Sequence, residues 1–293
     1  MLILIADAFD EALPKKLLQF GEVTDDINRL PEAEVVLIRS KTKCTQEWID
    51  GAPKLKLIIR GGVGMDNIDR EYASSKGITS INTAAASAIA VAELAFALML
   101  AAPNHIVPAH NGMKDGQWLK KQLKRTELYG KTLGLIGIGN IGTEVAKRAK
   151  VFGMKVIAYR ASGKPSEHAE VVQNIDDLFA QADYISLHTP LTDQTKGIIN
   201  ADAIAKMKDG VIIVNAGRGK CVVEEDMKQA LEKGKVKVYA TDVWYSDPPD
   251  PSSPILTAPN TVMTPHIGSN TKENMGRIGD IAVQIIADYI NQS

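Results

Sequence analysis

The stretch Gly134-Leu135-Ile136-Gly137-Ile138-Gly139-Asn140-Ile141-Gly142 constrains this chain more than any other. A short apolar run enters three glycines spaced G-x-G-x-x-G, and a helix is predicted from about Thr143. Each glycine answers a separate geometric need. Gly137 permits the tight turn, Gly139 lets the backbone approach a pyrophosphate, and Gly142 lets the helix pack close to the strand. The helix start adds unsatisfied N–H groups and the positive end of the helix dipole, both suited to phosphate. A second apolar run, Lys155–Tyr159, falls where the next strand of such a βαβ unit belongs. Together these features point to a dinucleotide-binding unit.

The end of that second strand bears on which dinucleotide is taken. In units that take NAD, an Asp or Glu about 20 residues beyond the motif receives the ribose 2′-hydroxyl. Here the strand ends in Arg160, followed by Ala161-Ser162-Gly163-Lys164, and no carboxylate occurs before Glu167. A guanidinium pairs with a 2′-phosphate through two N–H donors. NADP(H) is therefore the expected cofactor and NAD(H) the alternative; if Arg160 and Lys164 are only solvated loop residues, that preference disappears.

The strands expected around this unit are Thr132–Gly137, Lys155–Tyr159, Tyr184–His188, Val211–Asn215, Val236–Thr241 and Val262–Thr264. An earlier series comprises Leu2–Ala6, Val35–Arg39, Leu57–Ile59 and Ile78–Asn82, with helical stretches such as Leu13–Phe20 and Gln46–Asp50 between them. Strands alternating with helices imply parallel sheets covered on both faces. The expected fold is α/β, with two doubly wound, Rossmann-like domains, and 293 residues suffice for both. A first, substrate domain is expected over 1–100 and 271–293, and a dinucleotide-binding domain over 101–270. The first is discontinuous because the amphipathic stretch Asn274–Tyr289 follows the second series and returns to it. Asn104–Arg125 lacks clear periodicity and is read as a surface arm or subunit contact.

Composition excludes other classes. Hydrophobic residues at 45% and charged residues at 24% describe a globular chain rather than a disordered one. A formal net charge of −1 supplies no field for nucleic acid or an anionic membrane. Ala84–Ala102 is long and apolar, but Glu93 sits in its middle, so a helix buried between two domains is expected rather than a membrane span. The N-terminal run Met1–Ala6 has no basic flank and is interrupted by Asp7 and Asp10, which suits a first strand and not a signal peptide. Cys44 and Cys221 lie far apart without metal spacing and are read as reduced thiols of a cytoplasmic protein; no metal site is expected.

Ligands of doubly wound sheets sit beyond the carboxyl ends of the strands. Arg218 follows the strand ending at Asn215, Asp242 ends the next, and His266 stands between Pro265 and Ile267-Gly268 after the last. With Asp247, these residues are expected to converge on one cleft beside a nicotinamide.

These residues carry a resemblance that covers nearly the whole chain. It runs through Arg39-Ser40-Lys41-Thr42, Gly62-Val63-Gly64-Met65-Asp66-Asn67-Ile68-Asp69, Val91-Ala92-Glu93 and Met113-Lys114-Asp115-Gly116-Gln117-Trp118. It continues through Gly137–Gly142, His188-Thr189-Pro190-Leu191, Asn215-Ala216-Gly217-Arg218-Gly219 and Thr264-Pro265-His266-Ile267-Gly268. The chain resembles the D-isomer-specific 2-hydroxyacid dehydrogenases, and within them the D-3-phosphoglycerate dehydrogenases. The resemblance implies that His266 is the acid/base, that Arg218 binds the substrate carboxylate, and that the backbone N–H groups of Val63 and Gly64 hold the same carboxylate. Asp242 matches the residue that contacts the nicotinamide amide. Gly137, Gly139, Asn140, Ile141, Gly142, Arg160, Ser162, Thr189, Pro190, Ala216 and Gly268 complete the implied cofactor set.

Two departures stand out. The family usually pairs the histidine with a glutamate; the matching position here is Asp247, one methylene shorter. Ala216-Gly217 stands where the family often has a hydroxyl residue and alanine. Arg39, Lys41 and Arg60 suit a substrate phosphate, so the implied reaction is hydride transfer on D-3-phosphoglycerate or phosphohydroxypyruvate. An NADPH-dependent glyoxylate or hydroxypyruvate reductase is the alternative, and a cofactor-binding co-repressor a remote one. The resemblance also implies a homodimer joined through the cofactor domain, with a small 2-hydroxy or 2-oxo acid as the other partner.

Overall fold

The computed structural model describes residues 1–292. In chain order its elements begin with β1 (Leu2–Ile5), α1 (Leu13–Leu17), β2 (Glu22–Thr24), β3 (Val35–Ile38), α2 (Gln46–Asp50), β4 (Leu57–Arg60), α3 (Arg70–Ser75), β5 (Thr79–Asn82) and α4 (Ala88–Ala101). Next come α5 (Ile106–Lys114), β6 (Thr132–Ile136), α6 (Asn140–Val151), β7 (Lys155–Tyr159), β8 (Glu170–Val172), α7 (Ile175–Gln181) and β9 (Tyr184–Leu187). The chain continues through α8 (Ala201–Lys206), β10 (Val211–Asn215), α9 (Glu224–Glu232), β11 (Val236–Thr241), β12 (Thr261–Met263) and α10 (Lys272–Gln292).

Two compact units result. One is Met1–Ala90 together with the chain from Ser269 onward, and the other is Val91–Gly268. The first unit holds a five-stranded sheet in the order β2-β1-β3-β4-β5, every pair parallel. Its central strand β3 is buried along its whole length, as a parallel strand covered on both faces must be. Ile3, Leu37, Leu57 and Ile59 on one face pack with Leu13 and Leu17 of α1 and with Ala282 and Ile286 of α10. The last helix thus completes the first unit's core, which makes that unit discontinuous. Asn274 reinforces the return: it is fully buried, and its Nδ2 donates to Ser269 O at 2.6 Å and to Ser87 Oγ at 3.2 Å.

The second unit holds a seven-stranded parallel sheet in the order β12-β11-β10-β9-β6-β7-β8. Strand order reverses at β6, which has β7 on one side and β9 on the other, so its carboxyl end is the topological switch point. Ala92, Ala95 and Met99 of α4 are fully buried in this unit's core with Leu133, Leu135 and Val145. The division between units therefore falls near the start of α4 rather than after it. Among the described residues no single helix is long and apolar enough to cross a membrane, although α4 and α5 pass that test as a pair bent by 63°.

Three departures from the expected elements have local causes. Strands β2 and β8 are three-residue edge strands, each opening on an exposed glutamate, and carry too little periodicity to be seen in sequence. Helix α6 begins at Asn140, not Thr143, so Gly142 lies inside its first turn. The stretch after α4 forms a further helix, α5, capped by His105 in a left-handed conformation.

Candidate active site

The cradle at the switch point follows from the glycines. Gly137 has φ +93°, and a Cβ there would lie 2.7 Å from His188 O. A Cβ on Gly142 would strike the Gly137 carbonyl, so the first turn of α6 seats directly on the turn. A Cβ on Gly139 would meet no atom within 4 Å, so the backbone there is open on the side of the helix N-terminus. These three positions fit a dinucleotide pyrophosphate: two are closed by the protein itself and the third is open beside unsatisfied helix N–H groups. Thr189 and Pro190 follow β9 at the same edge, and Arg160 follows β7 in a turn closed by Gly163 N donating to Arg160 O at 2.9 Å. Gly163 takes φ +59°, a backbone that glycine adopts without strain. His188 places its ring here too, with Nε2 and Ser186 Oγ 2.8 Å apart and Nδ1 buried without a partner. Burial pulls its pKa down to about 4, so the imidazole is neutral at neutral pH.

The loop after β10 carries Arg218. Asn215, fully buried, donates from Nδ2 to Arg218 O at 3.0 Å and accepts from Gly217 N at 3.1 Å. The Arg218 guanidinium donates to Gly217 O at 2.7 Å. Gly219 then packs so closely on Trp244 that a Cβ would fall 2.7 Å from Trp244 Cα and nearer still to its carbonyl. Trp244 Nε1 in turn donates to Thr264 O at 3.1 Å, tying the arginine loop to the segment after β12.

That segment carries His266. Its Nδ1 donates to Asp247 Oδ2 at 2.5 Å, so the shorter carboxylate reaches the imidazole. The two side chains are 40% and 47% exposed, and an ion pair so open to water contributes little to stability. Its effect is on orientation and charge. Engaging Nδ1 leaves Nε2 as the nitrogen for proton exchange with a substrate. Asp242 is 2% exposed; its Oδ1 accepts from Thr264 Oγ1 and Ile267 N, and its Oδ2 from Gly268 N. The second unit by itself therefore gathers Arg218, Asp242, Asp247, His266 and Gly268 through one bonded network.

The remaining expected residues sit in the first unit. Arg60 ends β4, and its Nη1 donates to Gly61 O at 3.2 Å beside Gly62. The Gly62–Gly64 loop that follows is held by Gly62 N donating to Thr83 Oγ1 at 2.9 Å and Asn82 Nδ2 donating to Val63 O at 2.6 Å. Arg39 follows β3. Asp7 accepts from Arg39 N at 2.5 Å, from Thr42 N at 3.2 Å and from Thr42 Oγ1 at 2.8 Å, while Asn67 Nδ2 donates to Arg39 O at 2.7 Å and Thr42 O at 2.6 Å. The Arg39 guanidinium is partly desolvated, which lowers its pKa, and its Nε is buried without a partner. The sequence alone assigns no site role to Asp7, Asn67, Asn82, Thr83, Asn215, Trp244 or Thr264, although several stand within the motifs quoted above. The one signal open to it was that several are polar residues at or just beyond strand ends.

Comparison with known proteins agrees with this geometry. A family model described as D-isomer specific 2-hydroxyacid dehydrogenase, NAD binding domain, matches residues 96–268. The chain belongs to the D-isomer specific 2-hydroxyacid dehydrogenases. Such membership brings a nicotinamide cofactor and oxidoreductase chemistry on CH–OH groups. A hydroxypyruvate reductase of Thermotoga maritima is 49% identical over 85% of this chain and 82% of its own length. A D-3-phosphoglycerate dehydrogenase of Methanocaldococcus jannaschii is 43% identical over 97% of this chain. The match covers 56% of that relative, so the chain spans about half the length of the phosphoglycerate dehydrogenases it resembles. Among solved structures, an acyclic imino acid reductase, Bsp5, in complex with NADPH and D-Arg superposes with a TM-score of 0.92 at 28% identity, covering 100% of this chain and 98% of that one.

Proposed function

We propose that this chain interconverts a D-2-hydroxy acid and its 2-oxo acid, with D-3-phosphoglycerate and phosphohydroxypyruvate as the preferred pair. The observation that carries the chemistry is the 2.5 Å hydrogen bond from His266 Nδ1 to Asp247. The nicotinamide, when bound, supplies or accepts the hydride. In the reductive direction His266 gives the Nε2 proton to the substrate carbonyl oxygen, while Asp247 offsets the imidazolium charge. In the oxidative direction neutral Nε2 takes the hydroxyl proton. Arg218 binds the substrate carboxylate with its planar fork of donors. The Gly137–Gly142 turn holds the pyrophosphate; Thr189, Pro190, Ala216 and Gly268 border the rest of the cofactor. The first unit serves the substrate and the second the dinucleotide.

The phosphate reading rests on Arg39 and Arg60 at the ends of adjacent strands β3 and β4, and on Lys41 two residues beyond Arg39. The Arg39 guanidinium is partly desolvated, with the Asp7 carboxylate nearby and its Nε unpartnered, and a phosphate would add a second anion. A second reading, reduction of hydroxypyruvate or glyoxylate, is favoured by the 49% identical Thermotoga relative. Arg160 and Ser162 at the end of β7 support NADP(H) over NAD(H). Initial rates for phosphohydroxypyruvate, hydroxypyruvate and glyoxylate, each with NADH and NADPH, decide among these. Selective turnover of phosphohydroxypyruvate upholds the first reading, and equal kcat/KM with both cofactors removes the role given to Arg160.

The working form is a homodimer formed through the second unit. Ile106, Met113, Trp118 and Tyr129 expose 55%, 58%, 71% and 75% of their surface on and after α5, and a second copy would cover such side chains. Both cysteines are buried thiols, which suits a reducing, cytoplasmic setting.

A further inference from the structure

His266 has an uncommon backbone. Its φ is +55°, in the left-handed region that favours glycine and strains other residues. Such a conformation persists only where neighbouring contacts impose it. The contacts here converge on one carboxylate. Thr264, two residues before His266, donates from Oγ1 to Asp242 Oδ1 at 2.6 Å. Ile267 N, one residue after, donates to the same oxygen at 2.9 Å, and Gly268 N donates to Oδ2 at 2.8 Å. Asp242 is itself fixed, since its backbone N donates to Asn215 O at 3.0 Å. Thr264 is fixed from its other side by Thr241 O, which accepts from Thr264 N at 3.0 Å, and by the Trp244 indole. A left-handed residue followed by two N–H groups aimed at one anion is a compact backbone nest, and here the anion belongs to the protein. A Cβ on Gly268 would stand 3.0 Å from Asp242 Oδ2, which shows how closely the turn is drawn onto the carboxylate.

We propose that Thr264 and Asp242 form a latch that holds the turn at His266, making both positioning residues for the acid/base. Three of the roughly four acceptor sites of the Asp242 carboxylate are taken by this turn, so contact with the nicotinamide amide is a secondary duty of that side chain. The inference rests on the reading of His266 as the proton donor and acceptor. The latch sets where Nε2 points, whereas Asp247 fixes the charge and tautomer of the ring.

Thr264→Val removes one latch bond and leaves every backbone contact in place. It is expected to lower kcat about tenfold, the rate equivalent of one hydrogen bond of about 1.4 kcal/mol, and to alter the pH–rate profile. The Kd for NADPH, read by nicotinamide fluorescence, stays within about twofold of wild type, a span of under 0.5 kcal/mol. Thr264→Ser, which keeps the hydroxyl, restores kcat and the profile. Asp242→Asn opposes its amide N–H to Gly268 N–H and lowers kcat further. If Thr264→Val turns over like wild type while Asp242→Asn mainly raises the Kd, Asp242 is a nicotinamide contact and the latch is overturned. The imidazole resonances of His266 supply a reading independent of turnover. They shift in Thr264→Val if the latch holds, and unshifted resonances overturn it. Lack of activity in the wild-type chain toward any 2-oxo acid would overturn the proposed function alone, because those resonances and the NADPH affinity still report on the latch.

Discussion

Asp247 stands where the resemblance implies a glutamate, and its carboxylate lies 2.5 Å from the imidazole of His266. Asp247→Asn keeps the shape and replaces the carboxylate that receives the Nδ1 proton of His266. The loss in reductive kcat/KM at neutral pH is expected to be about 10²-fold, at the lower end of what general acid catalysis supplies. Gly219→Ala tests the neighbouring loop. An added Cβ collides with the Trp244 backbone, so the loop moves and takes Arg218 with it. KM for the 2-oxo acid should rise at least tenfold while NADPH affinity holds, since about 1.4 kcal/mol of misplaced carboxylate binding gives that factor. Residues of this kind divide by how local their cause is. The glycines of the dinucleotide turn were legible because their spacing implies their geometry, whereas His266 was marked by its place at a strand end and by the resemblance. Asp7, which gathers Arg39 and Thr42 from more than thirty positions away, was not, because nothing near Asp7 in sequence marks its partners.

At the scale of elements, the interior strands were read with the closest bounds, and the edge strands β5 and β12 were read as well. Strands β7, β10 and β11 lie where their β-branched runs place them, and β10 is buried at every position. Strands β2 and β8 escaped because an edge strand needs only a few paired residues. Strand β9 ends beside His188, whose neutral ring makes the unit sensitive to acid. With a pKa near 4 in the fold against 6.5 for the free side chain, the unfolded chain binds more protons between those values. Stability is therefore complete above about pH 6.5 and declines as pH falls toward 4. The decline is about 3 kcal/mol at most, because part of His188 remains exposed. Urea midpoints at pH 7 and pH 4.5 should differ for the wild type, and the difference should shrink in His188→Asn. A difference unchanged by that substitution assigns the acid sensitivity to other groups.

At the scale of the whole molecule, two parallel sheets and a last helix that returns to the first unit follow from alternating strand and helix patterns and one late amphipathic stretch. What pattern could not give is the use of the exposed arm after α4. Its order is considerable: Arg125 Nε donates to Asn104 Oδ1 at 2.6 Å, Asn104 Nδ2 to Leu100 O at 2.8 Å, and His105 Nε2 lies 3.0 Å from Lys124 O. A segment so braced loses little further entropy on binding, so its exposed aromatic side chains suit a preformed contact with a second copy rather than a loose loop. Trp118 and Tyr129 are the largest of these and the natural anchors, since aromatic residues dominate the energy of most interfaces. Light scattering should give the wild type a mass about twice the 31.7 kDa of the chain. The double variant Trp118→Ser with Tyr129→Ser removes four anchors, two from each copy, should lose about 8 kcal/mol of association energy at about 2 for each anchor, and should run as a monomer at micromolar concentration. A monomeric wild type would remove the dimer altogether. A dimeric double variant would move the interface elsewhere on the second unit, to surfaces such as Val151 and Phe152 at the end of α6.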